Sequence, residues 1–169
     1  MGHSTGRARS DGPNPNDMTM STFTVLGSGG VARVQGVLRI VAGFLFLQHA
    51  TAKLFGVPHV AYFDHLQLLS LPGIAGVIEL IGAPLLILGV CTRLVAFILS
   101  GEMAFAYFIG HVPQGNFFAP LLNQGEPAVL YCFIFLFLAA AGPGAWSLDS
   151  VRQKRLVVGH AGAQRPRPE

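Results

Sequence analysis

Arg39 to Gly56, RIVAGFLFLQHATAKLFG, decides how the rest of the chain is read. The residues that follow the arginine are almost wholly apolar, and the whole stretch approaches the ~20 residues that a helix needs to cross the hydrocarbon of a bilayer. Gln48, His49 and Lys53 interrupt it near the far end. A charged group at that depth costs on the order of 2.5 to 3.5 kcal/mol on insertion scales, so such side chains face other helices or a wet cavity rather than lipid. His49 and Lys53 are four apart and share one face of a helix.

The composition agrees: 51% of residues are hydrophobic and 11% charged, with 13 Phe and 21 Gly. A soluble globular domain carries about twice that charge. Three more apolar runs follow the first: Gly73 to Cys91, Leu94 to His111, and Pro127 to Gly142. A soluble four-helix bundle would show a polar face along each helix with i, i+4 charge pairs; these runs hold one or two ionisable groups each. The predicted fold is therefore all-α, an integral membrane four-helix bundle with helices at about 37–56, 73–91, 94–111 and 127–142. Ala50-Thr51-Ala52 resembles a signal-peptidase site, but the polar stretch before the first run is much longer than the usual leader n-region.

Charge placement predicts orientation. Of the 11 Lys and Arg residues, all but Lys53 lie in the N-terminal tail, at Arg39 where the first helix opens, at Arg93 between the second and third helices, or in the C-terminal tail. The loops 57–72 and 112–126 have none. By the positive-inside rule both termini are cytoplasmic and the chain is a multi-pass protein of the inner (plasma) membrane, with Arg33 and Arg39 as snorkelling anchors. The basic balance needs no nucleic acid to explain it; the partner it implies is the lipid bilayer.

Three regions follow from this: a disordered tail at 1–36, rich in Gly, Ser, Asn, Pro and Asp; a transmembrane domain at 37–149; and a basic tail at 150–169. The loop 57–72 is expected to hold a short interfacial helix around Tyr62, Phe63, Leu66 and Leu69. Its His59, Asp64 and His65 lack a recognised metal-ligand spacing, and no metal site is expected. Cys91 and Cys132 fall at heights too different for a disulfide. Shifted by 54 residues, Arg39, Val41, Ala42, Leu45, Ala52 and Gly56 fall on Arg93, Val95, Ala96, Leu99, Ala106 and Gly110, a faint echo that fits two repeated hairpins.

Counting at about 1.5 Å per residue from the arginines places His49 and Glu102 near the midplane, while Lys53 and Glu79 meet nearer the outer surface with Tyr107 and Tyr131. The candidate intramembrane polar site is His49, Lys53, Glu79, Glu102 and Tyr107, with His111 and Tyr131 secondary. Two readings stand: structural pairs that fix helix register, or a ligand site or proton path.

The H-x-x-x-K-L-F-G of His49 to Gly56, the E-L-I-G of Glu79 to Gly82, the L-x-x-G-x-x-T-R of Leu86 to Arg93, His111-Val112-Pro113, and the G-P-G-x-W-S-L-D of Gly142 to Asp149 together resemble the DoxX family. The resemblance runs from about Leu38 to Asp149 and implies a small four-helix inner-membrane protein linked to thiosulfate, quinone or thiol redox chemistry. It carries over no catalytic residue. No C-x-x-C, haem-type His pair or G-x-G-x-x-G is present, so no cofactor is evident by motif, and a quinone is the group the resemblance suggests. The leading expectation is a redox-associated, quinone- or thiol-linked membrane subunit working with an oxidoreductase partner or as a homo-oligomer. The alternative is a non-enzymatic scaffold or a small-molecule transporter component, and the sequence does not decide whether the chain is itself an enzyme.

Overall fold

Capping chemistry sets the helix ends. In the computed structural model, which describes residues 28–153 and 155, four α-helices follow in order: α1 Ser28–Phe55, α2 Leu71–Leu88, α3 Thr92–Phe105 and α4 Glu126–Ala141. No strand occurs among the described residues. α2 starts where the Ser70 hydroxyl accepts from the Gly73 amide at 3.3 Å with Pro72 in the first turn, a combination that suits an N-terminus because the first amides have no helical partner. It runs through Pro84 and ends at Gly89, whose left-handed φ of 69° lets its amide turn back to the Leu85 and Leu86 carbonyls.

α3 has no local cap, since the residue before it is Cys91 in a left-handed conformation. Asp149 supplies one from far along the chain: its carboxylate accepts from the Cys91 amide at 2.9 Å and from the Thr92 amide and hydroxyl at 2.8 Å each. Burial pushes the Asp149 carboxyl up, but the Thr92 bonds, the Cys91 amide and the nearby Arg39 charge outweigh it and hold the group below the ordinary carboxylate value.

α1 packs chiefly on α2, and α3 on α4, giving two hairpins. Phe46, Leu86, Leu99, Phe135 and Leu138 fill the space between them, while Phe44, Ile81, Phe97 and Phe133 point outward from the bundle. Gly82 permits the close approach of α2 and α3, because a Cβ there would come within 2.7 Å of the Leu99 side chain. Gly29–Phe55, Leu71–Leu88 and the helical stretch Thr92–Gln114 have the length and apolarity to cross a membrane. Glu126–Ala141 is as apolar but, at 16 residues, reaches about 24 Å.

The two arginines of the sequence echo have matching jobs. Arg39 donates to the Leu86 and Ile87 carbonyls, 47 and 48 residues ahead, at the C-terminus of α2. Arg93 donates to the Ala139, Ala140 and Ala141 carbonyls, 46 to 48 residues ahead, at the C-terminus of α4. Each hairpin is thus tied by an arginine from its first helix onto the unsatisfied carbonyls and negative dipole end of its second.

Several expectations change. Arg39 is not a snorkelling anchor: it is 0% exposed, and its guanidinium also donates to the Pro143, Ala145 and Trp146 carbonyls. Five backbone acceptors replace the water that such a group would otherwise seek. α1 begins at Ser28, so residues 28–36 are helix rather than tail, held by Ala145 N–H to the Ala32 carbonyl at 2.7 Å and by Gln35 Nε2 to the Gly142 carbonyl at 2.6 Å. Residues 148–153 are likewise helical where the basic tail was expected to begin. The tail regions 1–27 and 156–169 lie outside the described residues. The loop 57–72 holds only the single 3-10 turn Ala61–Phe63, and the third helix widens into a π-helical turn, Ala106–His111, before it ends.

Candidate functional site

Near the α1 C-terminus, Lys53 meets α2 where Gly76 leaves room for it; a Cβ on Gly76 would lie 3.2 Å from that of Lys53. One turn further along α2 the Glu79 carboxylate accepts from Lys53 Nζ at 2.5 Å, with the two side chains 1% and 12% exposed for Glu79 and Lys53. Charges this deep are tolerated because each supplies the other's missing solvation. Lys53 Nζ also lies 6.0 Å from the centre of the Phe63 ring.

Glu102 of α3 comes up beside the same pair, its carboxyl within the field of Glu79 and Lys53 and next to the Glu79 carboxyl. Three buried side-chain polar atoms among the described residues have no hydrogen-bond partner of normal geometry: Glu79 Oε2, Glu102 Oε1 and Glu102 Oε2. All three belong to this one place. A buried acceptor left unmade costs about 1–3 kcal/mol, so three of them at one place concentrate that cost in a small part of the bundle.

An aromatic wall closes one side. The Tyr131 ring stands 5.2 Å from Phe46 and stacks at 5.5 Å on Phe135. His49 meets Tyr131 edge-on at 5.9 Å, and both lie in the field of Glu79. Lys53 also lines a pocket of about 280 Å³ that opens toward the 57–70 loop, with Leu54, Phe63 and Asp64 among its other lining residues. Asp64, at the surface, pairs with His59 Nε2 at 2.9 Å.

The structure therefore brings Lys53, Glu79 and Glu102 together, with His49 and Tyr131 around them. Among the described residues no hydrogen bond joins His49 to Glu102, and His49 is exposed on the flank of the bundle. Tyr107 is committed elsewhere. It is buried in the π-helical turn, its hydroxyl donates to the Phe117 carbonyl, and its ring stacks on His111 at 6.4 Å. His111 Nδ1 in turn contacts the Asn123 carbonyl at 3.0 Å. Asn123, 2% exposed, folds this loop by accepting from the Gly125 amide at 2.9 Å and donating to the Gly115 carbonyl at 3.2 Å.

Sequence reasoning passed over Asn123, the Arg39 clasp and the Asp149 cap. Only the last left a signal: a helix opening at Cys91-Thr92 has orphan amides and no Ser, Asp or Asn before it, so some distant acceptor is required. Cys91 and Cys132 are both free, and the carbonyl of Cys132 accepts from Ser100 Oγ at 2.9 Å, joining α3 to α4. Among the described residues no three His, Cys, Asp or Glu side chains gather as a metal ion would require.

Residues 35–112 match the DoxX family. An uncharacterized protein of Haemophilus influenzae is 47% identical over 120 residues, covering 67% of this chain and 86% of that protein. No solved structure matches the chain.

Proposed function

Since the chain belongs to the DoxX family of membrane proteins, we propose that it is a redox-associated membrane subunit whose Lys53, Glu79 and Glu102 cluster receives the polar head of a quinone or quinol. The observation that carries this reading is the gathering of all three unpartnered buried oxygens at one point of an otherwise apolar bundle. A ligand pocket of this kind combines an apolar wall with a few convergent polar groups. The residues fit such a head. Quinol hydroxyls are donors and the orphaned oxygens of Glu79 and Glu102 are acceptors. Quinone carbonyls are acceptors, and the Lys53 ammonium has N–H groups beyond the one given to Glu79. Phe46, Tyr131 and Phe135 supply the flat apolar surface beside them. A bound quinone would supply the two-electron chemistry; the chain binds, orients and handles protons.

His49 stands between the flank of the bundle and the charged cluster, and imidazole exchanges protons near neutral pH, so we assign it the proton exchanged with a bound quinone or quinol. In His49→Phe the thermal shift that a short-chain quinone gives the purified protein is expected to disappear, with the helical circular dichroism unchanged. An undiminished shift in the variant, or none in the wild type, would put the non-enzymatic scaffold or transporter reading ahead.

We further propose four crossings of the plasma membrane with both termini cytoplasmic. The charge asymmetry supports it, as does the bond between Ala145 and Ala32, which puts the first turns of α1 and the segment after α4 at one end of the bundle. Reporter fusions at Pro13 and after Lys154 are expected to be active only as cytoplasmic reporters; periplasmic activity at either end would refute the arrangement.

A further inference from the structure

We infer that Glu79 and Glu102 hold a single proton between them beside Lys53, and that the pocket of about 280 Å³ lined by Lys53 is where this proton exchanges with water on the side of the 57–70 loop. This deepens the quinone reading and rests on it only in placing the cluster within the bilayer.

Charge and hydrogen-bond counting lead to the same proton. Lys53 brings one positive charge, already bonded to Glu79 Oε1. With both carboxyls ionised the site has an uncompensated negative charge and three acceptors that no donor reaches; with both neutral, Lys53 is a buried cation without a counter-charge. One proton leaves the site neutral. It also makes one carboxyl a donor to the other, so that a single bond provides for two of the three orphaned oxygens, Glu79 Oε2 and one oxygen of Glu102. The other titratable groups that face Glu79 are His49 on α1 and Tyr131 on α4, and neither bonds the orphaned oxygens.

The exchange route follows from Lys53 having two neighbours. Its ammonium lies on Glu79, and its side chain also lines the pocket, with Asp64 and Val60. Phe46 and Phe135 carry no titratable group, and His49 and Tyr131 bond none of the orphaned oxygens, so Lys53 is the side chain that reaches both the carboxyls and the pocket.

Dicyclohexylcarbodiimide, an apolar reagent that adds to protonated carboxylic acids and leaves carboxylates, tests the shared proton. The full-length protein in lipid vesicles at neutral pH is expected to gain one adduct, which peptide mass analysis places on Glu79 or Glu102. Glu102→Gln keeps the shape of the neutral acid and leaves Glu79 as the ion paired with Lys53, so it is expected to fold and to lose the adduct. No adduct at either residue, or adducts on both in one molecule, would overturn the inference. Infrared spectroscopy gives a second readout. The wild type is expected to show a protonated-carboxyl C=O band that shifts in heavy water, and Val60→Trp, which fills the pocket, to keep the band and slow its shift severalfold. A shift at the wild-type rate in that variant would overturn the route. Neither measurement contains a quinone, so a protein that takes the adduct yet ignores quinones refutes the ligand assignment alone.

Discussion

Lys53→Met is expected to lower the stability of the bundle by about 3–5 kcal/mol, and Lys53→Met combined with Glu79→Leu to recover most of that loss. The pair is short and deep, with Nζ and Oε1 2.5 Å apart and the Glu79 side chain 1% exposed. Removing the lysine alone leaves Glu79 facing Glu102 with nothing positive beside it, and neither carboxyl has a further hydrogen-bond partner to soften the change. Removing both members takes away one buried charge of each sign and puts an apolar thioether and a branched hydrocarbon in their place, which buried ion pairs often tolerate at little net cost. Denaturant titration of the four proteins of this cycle in mixed micelles gives the coupling energy directly. If the double variant is as unstable as the sum of the single ones, the two side chains are independent and the ion pair does not contribute.

The pair was legible from the sequence because its two requirements are one-dimensional. Two opposite charges in apolar helices, at matching depths, have to find each other. The companion expectation, His49 beside Glu102, used the same depth count and did not give a contact, since depth is only one coordinate. Glu102 turns toward Glu79 and Lys53, while His49 turns to Tyr131 and the flank of the bundle. Tyr107 was lost for a different reason. The π-helical turn Ala106–His111 adds a residue to each hydrogen-bonded ring, so the α-helical face count stops applying there, and the loop carbonyl of Phe117 takes the hydroxyl. Four apolar helices and their order were readable because each rests on local composition, whereas the pairing into two hairpins, joined by the long segments 56–70 and 106–125, showed only in the faint 54-residue echo. Arg39 was readable only as a charge near a membrane surface. Its five acceptors are backbone carbonyls, and a carbonyl leaves no mark on the sequence that side chains spell out.

That burial makes Arg39→Leu the second large expected effect, a loss on the order of 4 kcal/mol. The guanidinium serves Leu86 and Ile87 at the end of α2 and Pro143, Ala145 and Trp146 in the segment that crosses under the bundle, so one substitution strands carbonyls of two elements at once. Gly89 is packed against Ser147 and Arg39 Nη1, which leaves little room for water to replace the lost donors. Arg39→Lys is expected to recover only part of the loss, because an ammonium has three donors around a point where the planar guanidinium has five spread across a fork. Arg93→Leu is the control. It occupies the same place in the second hairpin and bonds the Ala139, Ala140 and Ala141 carbonyls, yet it is exposed, so water can satisfy those carbonyls and the cost is expected to stay below about 1 kcal/mol. Denaturation midpoints of the three variants against the wild type decide it. Equal losses for Arg39→Leu and Arg93→Leu would mean that burial does not distinguish the two arginines, and that the segment from Gly142 to Asp149 is held by Asp149 and packing rather than by Arg39.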